Sequence, residues 1–256
     1  MNQPRQILVT LILALMSAAV AAESRLDIRL DNAALSWQRL KTGIGGELPE
    51  RLIADSAGVV VVPQLIKAGF AVAGSYGRGV LLRRGADGRW QPPVFITASG
   101  GSFGWQAGVQ ALELVLIFRD AEAVDALQKR GLTLGADASV AAGPFGRKTG
   151  AASDFASDAA VISYAVAEGL FAGVALDGML IRIESRNTAS FYRNAGFEPP
   201  FKPTVDASAL PASAQRLMDL FGGYDANVAK TERASDNDDG LVTFGIGEAP
   251  LDDNEN

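Results

Sequence analysis

Leu26, Leu30, Ala33, Trp37 and Leu40 recur at spacings of four, three, four and three, which puts them on one stripe of a helix that ends near Gly43. The apolar face of that helix has two destinations, the protein's own core or a membrane surface. Pro49 suits the first turn of a second, short helix running to about Asp55. From Ala57 the texture changes to short apolar runs rich in Val, Ile and Phe and punctuated by glycine, the pattern of strands joined by tight turns. The runs are Gly58 to Val62, Ala68 to Tyr76, Gly79 to Arg84, Val94 to Ala98, Phe103 to Val109, Glu113 to Phe118, Ala136 to Ala142, Val161 to Val166, Leu170 to Leu176 and Met179 to Glu184. In the last, Met179, Ile181 and Ile183 alternate with Leu180, Arg182 and Glu184, so one face is apolar and the other mixed. An antiparallel sheet is the expectation.

Two helices interrupt the strands. Asp120 can cap a helix over Ala121 to Arg130, with Glu122 at its positive end, Lys129 and Arg130 at its negative end and Gly131 just past it. Asn187 can cap Thr188 to Ala195, with Gly196 as the stop. After the proline-spaced stretch from Glu198 to Pro203, Ala212 to Phe221 reads as a final amphipathic helix carrying Leu217, Met218, Leu220 and Phe221. The predicted class is α+β: a glycine-rich, mostly antiparallel or barrel-like sheet with a few flanking helices. The predicted divisions are 1–22, an N-terminal helical segment over 23–55, a domain core over 56–197, a linker and C-terminal helix over 198–230, and an acidic tail over 231–256 expected to be disordered.

Composition removes most chemistry. The 256 residues are 48% hydrophobic and include neither cysteine nor histidine, which excludes a disulfide framework, a thiol nucleophile, a Cys/His zinc site and a Ser-His-Asp triad. The net charge of −6 is located at one end: residues 231–256 hold eight acids against Arg233, while residues 23–230 balance 21 acids with 21 bases. A folded part without basic excess argues against a nucleic-acid partner.

The chain opens with Arg5 as the one charge before an apolar run from Ile7 to Ala22 that ends in small residues, then Glu23-Ser24. This is the layout of a secretory signal peptide over 1–22, cleaved near Ala22, and the run falls short of the roughly 20 residues needed to span a bilayer. A periplasmic or secreted location is expected, without lipobox acylation since there is no cysteine.

Several motifs then occur in order: Val62-Pro-Gln-Leu-Ile-Lys-Ala-Gly-Phe70, Gly74-Ser-Tyr-Gly-Arg-Gly79, Gly88-Arg-Trp-Gln-Pro-Pro93, Gly101-Ser-Phe-Gly-Trp-Gln-Ala-Gly108, Leu134-Gly-Ala-Asp137, Gly143-Pro-Phe-Gly146 and Gly169-Leu-Phe-Ala-Gly173. Through them the stretch from about Leu52 to Gly196 resembles the SYLF domain family. The resemblance implies a glycine-rich, mostly antiparallel α+β domain that binds anionic lipids, in eukaryotes phosphoinositides and actin, and together with the leader it implies a secreted bacterial member. Before Gly169, where the family commonly has a polar and often basic stretch, this chain has Ala165-Val-Ala-Glu168.

Lys67, Arg78, Arg84 and Arg89 are the candidate lipid-binding residues, grouped around one predicted hairpin with Phe70, Tyr76 and Trp90; Arg147 and Lys148, beside Phe145, form a second candidate patch. Clustered basic groups can hold lipid phosphates while aromatics lie at headgroup depth, and the competing reading is a solvated strand face over an ordinary core. Arg83 and Arg84 point to opposite faces of a strand, so at most one joins a patch. Gly74 to Gly79 lacks the Gly-Lys-Ser/Thr of a Walker loop and the following helix of a dinucleotide fingerprint, so a hairpin turn is expected there. Ser235 to Gly240 has the look of a calcium loop but puts Ile246 where the bidentate glutamate belongs. Asp154 and Asp158, at i,i+4 spacing, are the nearest carboxylate pair for acid-base work, in a polar segment of Ala and Ser. The expected function is therefore non-enzymatic: anionic-lipid or membrane-surface binding without a cofactor or metal, or alternatively an envelope protein-interaction module.

Overall fold

Six of the expected short strands are two long ones. In the computed structural model, which describes residues 25–41, 50–143, 159–167, 170–171, 176–193 and 209–222, β1 runs without interruption over Gly58–Arg83 and β2 over Val94–Phe118. They pair antiparallel from Gly58↔Phe118 to Leu81↔Val94, with register shifts between Val62 and Leu65 and between Gly69 and Ala71. The turn that joins them is built on Gly85 and Gly88: the Gly88 N–H donates to Gly85 O at 2.9 Å, and Gly88 adopts φ 79°, which favours glycine.

The Gly74 to Gly79 stretch is thus inside β1, where a hairpin turn was expected. Its glycines serve a crossing. The ribbon curls until the two ends of β1 meet, with the Arg84 N–H donating to Ala57 O at 2.9 Å. At the crossing an added Cβ on Gly79 would lie 2.1 Å from Val61 O, and one on Gly77 would lie 2.8 Å from Gln64 O. Only a missing side chain admits that approach. Val59 to Val62 and Val80 to Leu82 are accordingly buried at every consecutive position, as a strand covered on both faces requires.

Around the ribbon lie a helix over residues 25–41 (α1), α2 (Glu50–Ala54), α3 (Ala121–Arg130), β3 (Leu132–Thr133), β4 (Val140–Ala142), β5 (Val161–Ala167), β6 (Leu170–Phe171), β7 (Leu180–Ile183), α4 (Ser185–Phe191) and α5 (Ala212–Asp219). The sheet order is β3-β7-β2-β5-β4, with β1 on β2 and β6 on β5. Every pair is antiparallel except β4 with β5. The α+β expectation holds, with that one parallel pair.

The predicted stripe of α1 is buried throughout, Leu26 to Leu40, so its apolar face is docked on the core rather than offered to a membrane. Trp37 stacks on Phe221 with centroids 4.2 Å apart, and Phe221 meets Trp90 edge-on at 5.1 Å. Arg216 of α5 reaches Asp31 at 2.7 Å, and the Ser213 hydroxyl donates to Asp27. The end signals of α3 act as predicted: Asp120 Oδ1 accepts from the Glu122 N–H at 2.8 Å, and Gly131 sits at φ 84°. Asn187 does not cap a helix. α4 starts three residues earlier, at Ser185, directly off β7, and the Asn187 amide is turned back onto the Glu184 carboxylate. Residues 1–22, expected to be a signal peptide, the Asp154/Asp158 pair, Arg147 and Lys148, the expected linker and the acidic stretch with Ser235 to Gly240 lie outside the described residues.

Candidate functional site

Because β1 curls, Pro63, Gln64 and Ile66 from its first half come beside Tyr76, Gly77 and Arg78 from its second, and α1 lies against both. A helix presents residues i, i+3, i+4 and i+7 on one side, and here Arg25, Ile28, Arg29 and Asn32 do so, one stripe round from the buried face. Between helix and strand is an open groove of about 370 Å³ lined by these residues. Its apolar members are unusually accessible: Ile28 is 56% exposed, Tyr76 48% and Ile66 36%.

The charges in the groove divide by commitment. Arg29 donates to Glu184 Oε2 at 2.9 Å and lies 5.2 Å from the Phe95 ring centroid, so its charge is answered within the fold. Arg78 donates through Nε to the Tyr76 hydroxyl at 2.9 Å, and that hydrogen bond raises its already high pKa. Among the described residues neither Arg78 nor Arg25 forms a salt bridge. Two guanidinium groups are therefore open to an anion beside a small apolar wall. A phosphate could be met by two or more N–H donors while the carbon chain of the same molecule rests on Ile28 and Ile66.

A second cavity, about 410 Å³, is lined by Lys41, Ile53, Ala54, Arg84, Gly88, Arg89, Trp90, Phe221 and Gly222. It contains two of the sequence candidates, but Arg84 is occupied with the fold. Its guanidinium donates to Ser56 O at 2.9 Å, Gly88 O at 2.9 Å and Ile53 O at 2.8 Å, and its carbon lies 4.4 Å from the Trp90 ring centroid. Burial lowers its pKa, with the Asp55 charge acting the other way. Arg89 is half-buried, with Asp87 at 4.0 Å.

The four basic candidates are thus not one patch. Arg78 lines the groove, Arg84 and Arg89 line the second cavity, and Lys67 stands on β1 opposite Gln110, lining neither. Arg83 turns to the other side, as its strand position predicts, and meets Asp125 at 2.7 Å and Gln128 at 2.6 Å. Sequence reasoning missed Arg25, Ile28 and Lys41. The signal for the first two was present in the 25, 28, 29, 32 spacing, which interleaves with the core stripe. Among the described residues no group of carboxylates could hold a metal ion, and no helix is long and apolar enough to cross a membrane.

Comparison with known proteins adds an independent line. Residues 99–223 match the Ysc84 family, described as Las17-binding protein actin regulator. The chain is 38% identical over 146 residues to SH3 domain-containing YSC84-like protein 1 of Rattus norvegicus, covering 57% of this chain and 43% of the relative. It is 37% identical over 180 residues to the protein of that name in Homo sapiens, covering 69% and 51%. To LAS seventeen-binding protein 3 of Saccharomyces cerevisiae it is 34% identical over 172 residues, covering 62% and 37%. The chain spans about half or less of the length of these relatives.

Proposed function

We propose, for a chain that belongs to the Ysc84 (SYLF) family through its residues 99–223, a non-enzymatic role in which the α1–β1 groove binds an anionic lipid at a membrane surface. The observation that carries this reading is the pairing, in one open groove, of Arg25 and Arg78, neither of which forms a salt bridge among the described residues, with the exposed Ile28, Ile66 and Tyr76. The groove supplies what a phospholipid has: charge for the phosphate and apolar surface for the first carbons beyond it. The body's balanced charge makes long-range attraction weak, so anion preference rests on this local pairing.

The test is flotation with phosphatidylcholine vesicles with and without phosphatidylglycerol. Binding should favour the anionic vesicles and weaken between low and physiological salt, where the Debye length falls to about 8 Å. Each basic side chain near such a surface contributes about 1 kcal/mol, so Arg25→Glu with Arg78→Glu should lower affinity by at least roughly tenfold. Equal, salt-independent partitioning onto both vesicles, unchanged by the two substitutions, rejects the groove as a lipid site.

A second reading, a module that docks a protein partner, is favoured by the relatives' printed names, which speak of Las17 binding and actin regulation. It is the reading that stands if no vesicle is bound. We also propose that the mature chain begins at Glu23 in a periplasm or outside the cell, as the layout of residues 1–22 implies. Mass spectrometry of the expressed protein decides it, and an intact Met1 overturns it.

A further inference from the structure

We propose that a second element, the apolar face of the β1–β2 ribbon formed by Ile66, Ala68, Val109 and Ala111, presses into the interfacial layer of the membrane that the groove engages. The inference rests on the lipid reading above and adds the surface by which the protein is seated.

The face follows from register. Ala68 lies opposite Val109 and Ile66 opposite Ala111, and partners directly across an antiparallel pair share a side of the sheet, as do residues two apart on one strand. All four therefore project from one side. All four are exposed, Val109 at 77%; on the reverse side Leu65 and Leu112 are buried, Lys67 is half-buried and Gln110 is exposed. An exposed apolar cluster of this kind is surface that the fold does not consume.

Charge selects the occupant. On the side of the ribbon that carries this face β1 contributes Arg78 and no acid, and from Val94 to Leu112 β2 has no charged residue at all. An apolar face with a guanidinium and no acids suits an anionic lipid surface. The face is also continuous with the groove, since Ile66 belongs to both. Depth is limited by the backbone. Residues 96–99 of β2 pair with β7 and residues 113–118 with β5, but among the described residues the stretch between them pairs with β1 alone. Its outer N–H and C=O groups would be unsatisfied in hydrocarbon, which confines the ribbon to the wet headgroup boundary.

The absence of cysteine makes this directly readable. Val109→Cys and, at an exposed position of α3, Glu122→Cys can each carry a single NBD fluorophore. With phosphatidylglycerol-containing vesicles the emission at position 109 should shift to the blue and gain intensity while that at 122 does not. A Val109→Asp variant with an unchanged melting temperature should bind these vesicles roughly tenfold more weakly. Flotation without a shift at 109 overturns the seating proposal and leaves the groove reading intact. An equal shift at both positions, or undiminished binding by Val109→Asp, also overturns it, the latter pointing to a protein-facing patch. Absence of flotation removes both readings.

Discussion

Arg29 of α1 and Glu184, the residue that joins β7 to α4, meet at 2.9 Å across 155 positions of sequence. The same carboxylate accepts from the Thr97 hydroxyl at 2.6 Å and from the Asn187 amide. One acidic group thus fastens the N-terminal helix, the second long strand and α4 together.

Burial by itself would push the Glu184 carboxyl up, but the hydrogen bonds from Thr97, Arg29 and Asn187 and the Arg29 charge together hold it below its ordinary value. A carboxyl lowered on folding stabilises the folded state above the usual carboxylate range, and that contribution is lost as pH falls through it. Glu184→Gln should cost about 2 kcal/mol at neutral pH, roughly 4–8 °C in melting temperature for a domain of this size. The gap between the variant and the parent should close on acidification. A gap that stays constant from neutral to acid pH would contradict the assignment.

Arg84 and Arg78 should behave oppositely. Arg84→Ala strands three backbone carbonyls and uncovers Trp90, so it should lower stability by about 1–3 kcal/mol in thermal or urea unfolding. Arg78→Ala, at an exposed position, should leave stability within about 0.5 kcal/mol of the parent and reduce vesicle binding. Equal effects of the two on unfolding would reject the structural role of Arg84.

The glycines of β1 should also separate. Gly79→Ala forces a Cβ toward Val61 O, 2.1 Å away, and should destabilise by about 2 kcal/mol or more, or prevent soluble expression. Gly74→Ala meets nothing within 4 Å and should be neutral or stabilising by up to about 1 kcal/mol. The comparison is made on one strand five residues apart, and tolerance of both would mean that β1 does not cross itself at Val61.

Phe221 lies against both Trp37 and Trp90. Phe221→Ala should cost about 2–4 kcal/mol and change the near-ultraviolet circular dichroism of the tryptophans. A chain stopped after Leu210 should be more strongly destabilised, whereas one stopped after Lys230 should melt within about 5 °C of the full chain. If stopping at Leu210 leaves the melting curve unmoved, α5 is not part of the core.

α1 and α3 were legible because their signals are local, whereas Asn187 looked like a cap and is taken instead by the Glu184 carboxylate. The α1 stripe and the Asp120 and Gly131 ends of α3 state their geometry within a few residues. The long strands were not, because glycine writes the same letter for two opposite purposes. Gly77 and Gly79 read as a turn, yet they lie in an unbroken strand where an earlier part of the same curled strand comes too close for a side chain. Local pattern carries no information about a partner 18 residues away. The site follows the same division. Arg78 could be read from its own surroundings, but Arg84 is claimed by the carbonyls of Ile53, Ser56 and Gly88, and a carbonyl has no residue-type signature. Arg25 required knowing which strand α1 would lie on.

The contact between Trp37 and Phe221 also bears on the order in which the protein matures. The helix that carries Trp37 finds part of its packing surface in Phe221, 184 positions later, so its apolar face has no complete cover while synthesis is under way. Closure waits for residue 221 to emerge, by which time the long ribbon has already had to find its register. During that interval an uncovered helix and an unpaired strand are both present on one nascent chain, which is the state that holding chaperones recognise and that association in trans exploits.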